Sequence, residues 1–317
     1  MRVSVIIPAY NSGLLVVEAV ASALAQSHAP AEVIVIDDGS TDDTHARVTA
    51  FGPPVRYIRQ RNQGVAAARN AGLGVASGEV IAFLDADDVW HPRKLELQVE
   101  CLRRDLQIAL LGTGTVDWPR ERFPNDGLVR SGRPVRVRFE DLVVRNQFVT
   151  SSVVVRKDAL RCVGEFDPLL QGPEDFDLWL RVARVRAVAN LSLPLTGYRN
   201  VPGSLGKQAA TMESCGRRIL DKLEAGGAFR GRPWLRRKAW SYLDYSCAYL
   251  HGAAGNHAVA LQSMLRSLIT FPLAYRRRDV RMPFARMRLL IRLAQRWVKE
   301  TTRAVAWQSP RKGLVQP

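Results

Sequence analysis

Gly78-Glu79-Val80-Ile81-Ala82-Phe83-Leu84-Asp85-Ala86-Asp87-Asp88 is the stretch that decides the fold. Val80 to Leu84 is a short, continuous apolar run, which reads as a strand buried on both faces, and it stops on carboxylates. Upstream, Gly64 to Val75 is Ala-rich and helical. The same alternation repeats toward the N-terminus. Val3 to Ile7 is a buried strand ended by Pro8, Leu14 to Gln26 has apolar residues at helical spacing, and Val33 to Ile36 is a second strand stopping at Asp37-Asp38-Gly39-Ser40. Val55 to Ile58 is a third. Strands alternating with helices predict an α/β fold, a mainly parallel sheet flanked by helices. Ligands in such sheets collect beyond the carboxyl ends of the strands. Here those ends carry Pro8-Ala9-Tyr10-Asn11, Asp37-Asp38-Gly39-Ser40 and Asp85-Ala86-Asp87-Asp88.

Beyond Gln107 the pattern is less regular. Residues 119–139, rich in Pro, Arg and Gly, predict a mobile loop, and Val149 to Arg156 predicts a strand. Leu178 to Val185 predicts a helix directly after Glu174-Asp175-Phe176-Asp177. The alternation ends near Pro202-Gly203-Ser204, so residues 1–205 are expected to form one domain and 206–317 a helical C-terminal region. Helices are predicted there near 208–225, 233–252, 256–270 and 283–306.

Asp85-x-Asp87 leaves a strand with alternate residues pointing the same way, so both carboxylates can face one ion. Hard oxygen ligands suit Mg2+ or Mn2+, which also keep phosphate oxygens as ligands. An isolated pair of this kind is common and decorates many loops; its weight comes from its company.

That company is specific. Val3 to Asn11, Val33 to Asp42, Asn62-Gln63-Gly64-Val65-Ala66-Ala67-Ala68-Arg69-Asn70-Ala71-Gly72 and Gly78 to Asp88 together resemble the family 2 glycosyltransferases of the GT-A fold in order, spacing and strand-end placement. Gly164-Glu165-Phe166-Asp167 and Glu174 to Arg181 extend the likeness to about residue 205. The resemblance implies an inverting, metal-dependent transfer of a sugar from a UDP- or dTDP-sugar to an acceptor hydroxyl. The setting it implies is cell-surface polysaccharide or glycoconjugate assembly, with a saccharide or lipid-linked saccharide as acceptor. By the same likeness Pro8, Ala9, Tyr10 and Asp38 would hold the base and ribose. Asp85 would bind the ribose and the metal, and Asp87 would coordinate Mn2+ or Mg2+. Arg69 would approach the diphosphate or form an i,i+4 surface pair. Asp175 would be the catalytic base, with Glu174 as second candidate and helix capping as the alternative role. Trp179 and Arg181 would pack and brace that helix. Family members often carry a His shortly after a Tyr-Arg pair; here Val201 stands in that place after Tyr198-Arg199, leaving Arg199 as the candidate cation for the diphosphate.

Other chemistries find less support. Gly72-Leu73-Gly74-Val75-Ala76-Ser77-Gly78 follows a helix and precedes a strand, the reverse of a dinucleotide-binding fingerprint. The five histidines lack metal or triad spacing, and the four cysteines form no CxxC pair, which fits a reducing cytosol. Neither a signal peptide nor a membrane span is expected. A sugar-nucleotide nucleotidyltransferase would share the sheet and metal, but Asn11-Ser12-Gly13-Leu14 lacks the charge of its basic loop. A catalytically degenerate membrane-binding protein is the non-enzymatic alternative.

The formal net charge of +16 lies entirely in the last third: residues 207–317 hold 22 Lys/Arg against 6 Asp/Glu, whereas residues 1–206 hold 24 of each. In the last predicted helix Met287, Leu290, Ile291, Ala294, Trp297 and Val298 fall on one face, with Arg288, Arg292, Arg296 and Lys299 on the other. This predicts a helix packed on its neighbours by that apolar face. The alternative is an interfacial helix at an anionic membrane, with Trp297 and Trp307 among the cations, which would make the protein peripheral on the inner face of the cell membrane. No nucleic-acid-reading motif accompanies the charge.

Overall fold

In the computed structural model the described residues are 1–125, 132–201, 205–275 and 284–308, the side chains of residues 205 and 299–308 excepted. The chain divides into two compact units, Met1–Leu205 and Gly206–Pro317.

The first unit opens with β1 (Val3–Ala9), α1 (Gly13–Leu24), β2 (Glu32–Asp37), α2 (Thr44–Thr49), β3 (Val55–Arg59), α3 (Val65–Val75) and β4 (Val80–Phe83). It continues through β5 (Val89–Trp90), α4 (Lys94–Arg104), β6 (Ile108–Trp118), β7 (Val135–Val137) and α5 (Phe139–Leu142). After a 3-10 turn over Thr150–Ser152 come β8 (Val154–Arg156), α6 (Lys157–Val163), α7 (Glu174–Val185) and β9 (Ala187–Arg199). One nine-stranded sheet runs β3-β2-β1-β4-β8-β6-β9-β5, with β7 also paired to β9. The pairs β1–β2, β1–β4, β2–β3 and β6–β9 are parallel; β8, β5 and β7 run against their neighbours. The sheet is therefore mixed, with six of its nine strands running the same way, the parallel majority that the strand-helix alternation predicts.

Every residue of β1, β2 and β4 is buried, the consequence of helices covering both faces. Gly72 of α3 lets that helix lie close on β1, since a Cβ there would stand 2.5 Å from Ile6 Cγ2. Of the glycines that imitate a dinucleotide fingerprint, Gly72 and Gly78 are packing devices, whereas a side chain at Gly74 would meet open space. Phe83, Phe166 and Trp179 form an aromatic cluster with ring centroids 5.2 to 6.1 Å apart. Arg181 donates to Asp177 and to the carbonyls of Val163 and Glu165, tying α7 to the end of α6. Trp179 thus packs and Arg181 braces, as expected.

Several elements differ from the sequence expectation. The predicted strand Val149–Arg156 is the 3-10 turn followed by the three residues of β8. Within the predicted loop 119–139, Val135–Val137 form β7 on the flank of β9; residues 126–131 lie outside the described residues. The long strands β6 and β9 fall where the sequence pattern is irregular, and helix α4 occupies a stretch before Gln107 for which no element is predicted. The β6–β9 pairing itself has register shifts between Thr113 and Thr115. Lys94 of α4 is fully buried, its ammonium 4.0 Å from the Trp90 ring centroid and donating to Gln98 Oε1 at 2.9 Å. Burial pushes this amine well below the ordinary lysine range.

The second unit is helical: α8 (Ala209–Ala225), α9 (Pro233–Ala253), α10 (His257–Thr270) and α11 (Ala285–Gln308). Pro233 stands at the first turn of α9, where its missing N–H costs nothing. A polar cluster holds α8, α9 and α10: Glu213 accepts from Arg217, Arg266 and His251, and Asp244 accepts from Arg217 at 2.7 Å. The apolar core joins Ala248, Ala260 and Met264 to Leu289 and Leu293. This corrects the expected orientation of α11. Leu289 and Leu293 face inward with Arg286, whereas Met287, Ile291, Trp297 and Val298 are 42% to 55% exposed. The buried stripe is displaced around the helix, with Leu290 of the expected face packed at its edge, because α9 and α10 meet Leu289 and Leu293 rather than Met287 and Ile291. The side chains of Lys299 and Trp307 lie outside the described residues. No helix among the described residues is long and apolar enough to cross a membrane.

Candidate active site

The carboxyl ends of β1, β2 and β4 lie side by side, as their pairing requires: Ala9 is opposite Asp37, and Ile6 is opposite Phe83. Three loops leave this rim. In the first, Pro8 and Ala9 are buried at the end of β1, and the Tyr10 side chain is 52% exposed. Asn11 adopts φ +47°, donates its N–H to Ser40 Oγ at 2.9 Å and accepts from Thr41 N–H at 2.8 Å. The first loop is thereby pinned to the second.

The second loop begins with two acids of different kinds. Asp37 is fully buried; burial alone would raise it, but hydrogen bonds from Tyr57 and Ser40 outweigh that and hold it below the usual range. Asp38, expected at the nucleotide, accepts from Gln60 Nε2 at 2.7 Å, Gln63 N–H at 2.9 Å and Gly64 N–H at 2.8 Å. It clamps the chain that enters α3. Gly64 sits at φ +88°, a conformation that L side chains resist, which is why glycine opens this helix.

The third loop carries Asp85, Asp87 and Asp88. Burial and the neighbouring Asp85 raise the Asp87 carboxyl to about 6, with Arg199 and Arg69 only partly offsetting them. Asp88 is buried and pushed well above the ordinary range by burial, then by Asp85 and Asp87. Its Oδ2 accepts from Ser151 Oγ at 2.6 Å and its Oδ1 from Arg199 N–H at 2.8 Å. Arg199 also donates from Nε to the Asp87 carbonyl at 2.9 Å and from Nη2 to Glu18 at 2.7 Å. The end of β9 is thus held against this loop.

Arg69 is where the structure departs most from expectation. No surface pair forms. Its guanidinium is buried, donating to Asp85 at 2.6 Å and to Glu174, and lies 5.4 Å from the Phe166 ring centroid. Glu174 also accepts the Gly172 N–H at 2.9 Å. Asp175 is one residue further along the first turn of α7, so it is no cap: the N-cap position is Pro173. Its Oδ2 accepts from Thr150 Oγ1 at 3.0 Å. Burial, then the repulsion of Glu174, raises Asp175 to about 7, against the pull of Arg69, Thr150 and the Phe176 N–H. A carboxyl poised near neutrality is suited to taking a proton.

Geometry brings together Asp85, Asp87, Arg69, Glu174, Asp175 and Arg199 through direct bonds or shared fields. Tyr10 and Asp38 occupy the adjoining rim. Sequence reasoning passed over Asp88, Thr150, Ser151 and Tyr198. The Tyr198 phenol is raised by burial and by the charges of Asp88, Asp87, Asp85 and Asp175. Asp88 adjoins the acidic pair and was legible as such. Thr150 and Ser151 gave no signal, because their segment read as an ordinary strand.

Among the described residues no group of three or more His, Cys, Asp or Glu converges as a complete metal cage. The donor set nonetheless fits Mg2+ or Mn2+. The field of Asp85 helps raise Asp87 even against Arg199 and Arg69, so added positive charge is favourable beside it, and these ions are commonly held by one or two carboxylates with phosphate oxygens and waters completing the shell.

Comparison with known proteins agrees with this geometry. Residues 4–163 match the model of glycosyl transferase family 2. Chondroitin synthase of Escherichia coli is 30% identical over 192 residues, 58% of this chain and 26% of that protein. The chain spans 32% to 60% of the length of the first curated relatives it matches. Staphylococcus aureus TarS 1–349 in complex with UDP-GlcNAc superposes with a TM-score of 0.57 at 17% identity, covering 86% of this chain and 89% of that one. The mannosyltransferase PcManGT of Pyrobaculum calidifontis, in complex with GDP-Man and Mn2+, superposes with a TM-score of 0.57 at 20% identity, covering 98% and 81%. Mixed sheet, acidic rim and sequence match together place the chain in glycosyl transferase family 2, with the GT-A fold.

Proposed function

We propose that this family 2 glycosyltransferase performs an inverting, metal-dependent transfer from a UDP- or dTDP-sugar to an acceptor hydroxyl, with residues 1–205 as the catalytic domain. The observation that carries the reading is Asp175, a buried carboxyl raised to about 7 and joined through Glu174 and Arg69 to Asp85.

In this mechanism Tyr10 packs on the exposed base while Pro8, Ala9 and Asp38 shape the pocket for base and ribose. Asp85 and Asp87 would hold the cation, Asp85 also contacting the ribose, and a Mn2+ or Mg2+ ion there would supply positive charge to offset the negative charge of the diphosphate leaving group. Asp175 takes the proton of the acceptor hydroxyl as that oxygen attacks the anomeric carbon opposite the leaving phosphate oxygen, which inverts the configuration. Glu174, engaged by Arg69 and Gly172, holds the arginine rather than the proton. Arg199 is an additional cation for the diphosphate, its guanidinium next to the Asp87 carbonyl.

The neighbours in complex with UDP-GlcNAc and with GDP-Man and Mn2+ support a nucleotide-diphosphate donor and a divalent ion. The chondroitin synthase relative supports polysaccharide or glycoconjugate assembly, with a saccharide or lipid-linked saccharide as acceptor. The deciding experiment is a screen of UDP-, dTDP- and GDP-sugars for thermal stabilisation with and without Mn2+, followed by donor hydrolysis and transfer assays on the hits. Stabilisation by a UDP- or dTDP-sugar that requires the metal, with turnover, supports the reading. No stabilisation and no turnover with any donor would favour the degenerate-transferase alternative. A basic loop after β1 is what a nucleotidyltransferase would need, and Asn11-Ser12-Gly13-Leu14 carries no charge.

We further propose that the second unit docks on anionic lipid at the inner face of the cell membrane. Leu265 and Ile269 of α10 and Met287 and Ile291 of α11 are exposed apolar residues, and Arg288, Arg292 and Arg296 are exposed on the same α11. The 22 cations of residues 207–317 complement a negative leaflet.

A further inference from the structure

The Thr150–Ser152 turn is buried, with Thr150 7% exposed and Ser151 and Ser152 0%. Two consecutive hydroxyls in it face different parts of the acidic rim. Thr150 Oγ1 donates to Asp175 Oδ2 at 3.0 Å. Ser151 Oγ accepts the Asp85 N–H at 3.0 Å and donates to Asp88 Oδ2 at 2.6 Å. The turn is itself anchored from outside the rim. Trp90 Nε1 donates to the Ser151 carbonyl at 2.7 Å, and Gln98 Nε2 donates to the Ser152 carbonyl at 2.9 Å. Asp85 and Asp175 are 90 positions apart in sequence, yet one peptide unit separates the residues that hold them.

We propose that Thr150 and Ser151 are positioning residues that fix the catalytic base relative to the donor-binding carboxylates, Thr150 acting through Asp175 and Ser151 through Asp85 and Asp88. This rests on the mechanism proposed above. An inverting displacement needs the acceptor oxygen and the leaving phosphate on opposite sides of one carbon. The separation between base and metal-diphosphate site must therefore be rigid, and a misplacement of about 1 Å is costly. Two adjacent side chains in one anchored turn supply that rigidity more simply than two independent loops. The charged and titratable groups facing Asp175 are Glu174 beside it, Arg69 from α3 and Tyr198 from β9, and the uncharged Asn146 amide donates to the same Oδ2 at the longer distance of 3.4 Å. The Thr150 hydroxyl is an uncharged donor that favours the ionised base without adding charge.

The test compares Thr150→Val, Thr150→Ser, Ser151→Ala and Asp175→Asn in steady-state transfer across pH, with donor KM measured separately. Thr150→Val is expected to lower kcat by about tenfold, to leave donor KM nearly unchanged and to move the acid limb of the kcat profile to higher pH. Thr150→Ser, which keeps the hydroxyl, is expected to restore rate and profile. Ser151→Ala is expected to raise donor KM and leave the acid limb in place. If Thr150→Val does not fold, Thr150→Ala replaces it under the same expectation. Wild-type kcat and an unmoved acid limb in the hydroxyl-free variant, with Asp175→Asn inactive, overturn this proposal alone. Identical losses in Thr150→Val and Ser151→Ala with no change in pH profile also overturn it, since that is what general loosening would give. Full activity in Asp175→Asn overturns the base assignment and this proposal with it.

Discussion

Arg69 donates to Asp85 at 2.6 Å from one guanidinium nitrogen and to Glu174 from the other, so one buried cation joins the end of β4 to the first turn of α7. Two acids 89 positions apart are held together by a residue with no room to retreat to solvent. Removing the cation leaves two carboxylates facing each other with little water. Arg69→Met is therefore expected to destabilise the first unit by about 3–5 kcal/mol, the usual cost of breaking a buried pair by deleting one partner. Urea denaturation measures it; a change below about 1 kcal/mol would show that the bridge is not what joins these elements.

Asp175 sets the expected pH dependence. As the proposed base it would work only when ionised, so kcat should rise as pH increases through about 7 and level off above. Asp175→Asn should lower kcat by roughly 10²–10⁴-fold, the range for a positioned acid-base group. The stability effect has the opposite sign. A carboxyl raised in the folded state contributes stability while protonated, and that contribution is lost as pH rises from about 4 toward about 7. Asp175→Asn should gain stability relative to the parent at pH 8 compared with pH 5, as thermal melts at the two pH values will reveal.

The proposed metal-binding role of Asp87 predicts how the protein responds to the ion. A ligand that binds only the folded state raises its melting temperature by mass action. The shift produced by donor with Mn2+ should disappear in Asp87→Ala, while the melting temperature without ligand changes little. A metal-dependent shift of parental size in that variant would remove Asp87 from the coordination shell.

Lys94 gives a prediction independent of the site. Its amine is buried over Trp90 and depressed well below the ordinary range. The unfolded chain then binds the proton more readily, so the parent's stability should climb as pH rises toward about 10.4, the unperturbed lysine value. Lys94→Met should flatten that climb on the approach to about pH 10 in chemical denaturation.

Membrane docking is checked by flotation. Ile291→Glu and Met287→Glu place charge on the exposed face of α11 without touching Leu289 or Leu293. Both should reduce binding to anionic vesicles severalfold, with little loss of stability, because surface substitutions usually stay within about 0.5 kcal/mol.

The sequence by itself determined the first four strands, the helices between them and the helical segments of the second unit, because those elements are written in local apolar periodicity. It also placed the acidic rim, since a parallel strand buried on both faces must stop where its carboxylates begin. Only the tertiary structure decided that Arg69 lies buried between Asp85 and Glu174, that the first half of Val149–Arg156 is a 3-10 turn ahead of a short strand, and that β6 and β9 pair across a shifted register. It also turned α11 so that Leu289 and Leu293, rather than Met287 and Ile291, meet α9 and α10. The reason is common to all four. Periodicity fixes which residues share a face, but partners tens of residues away choose which face is buried and which charges must meet.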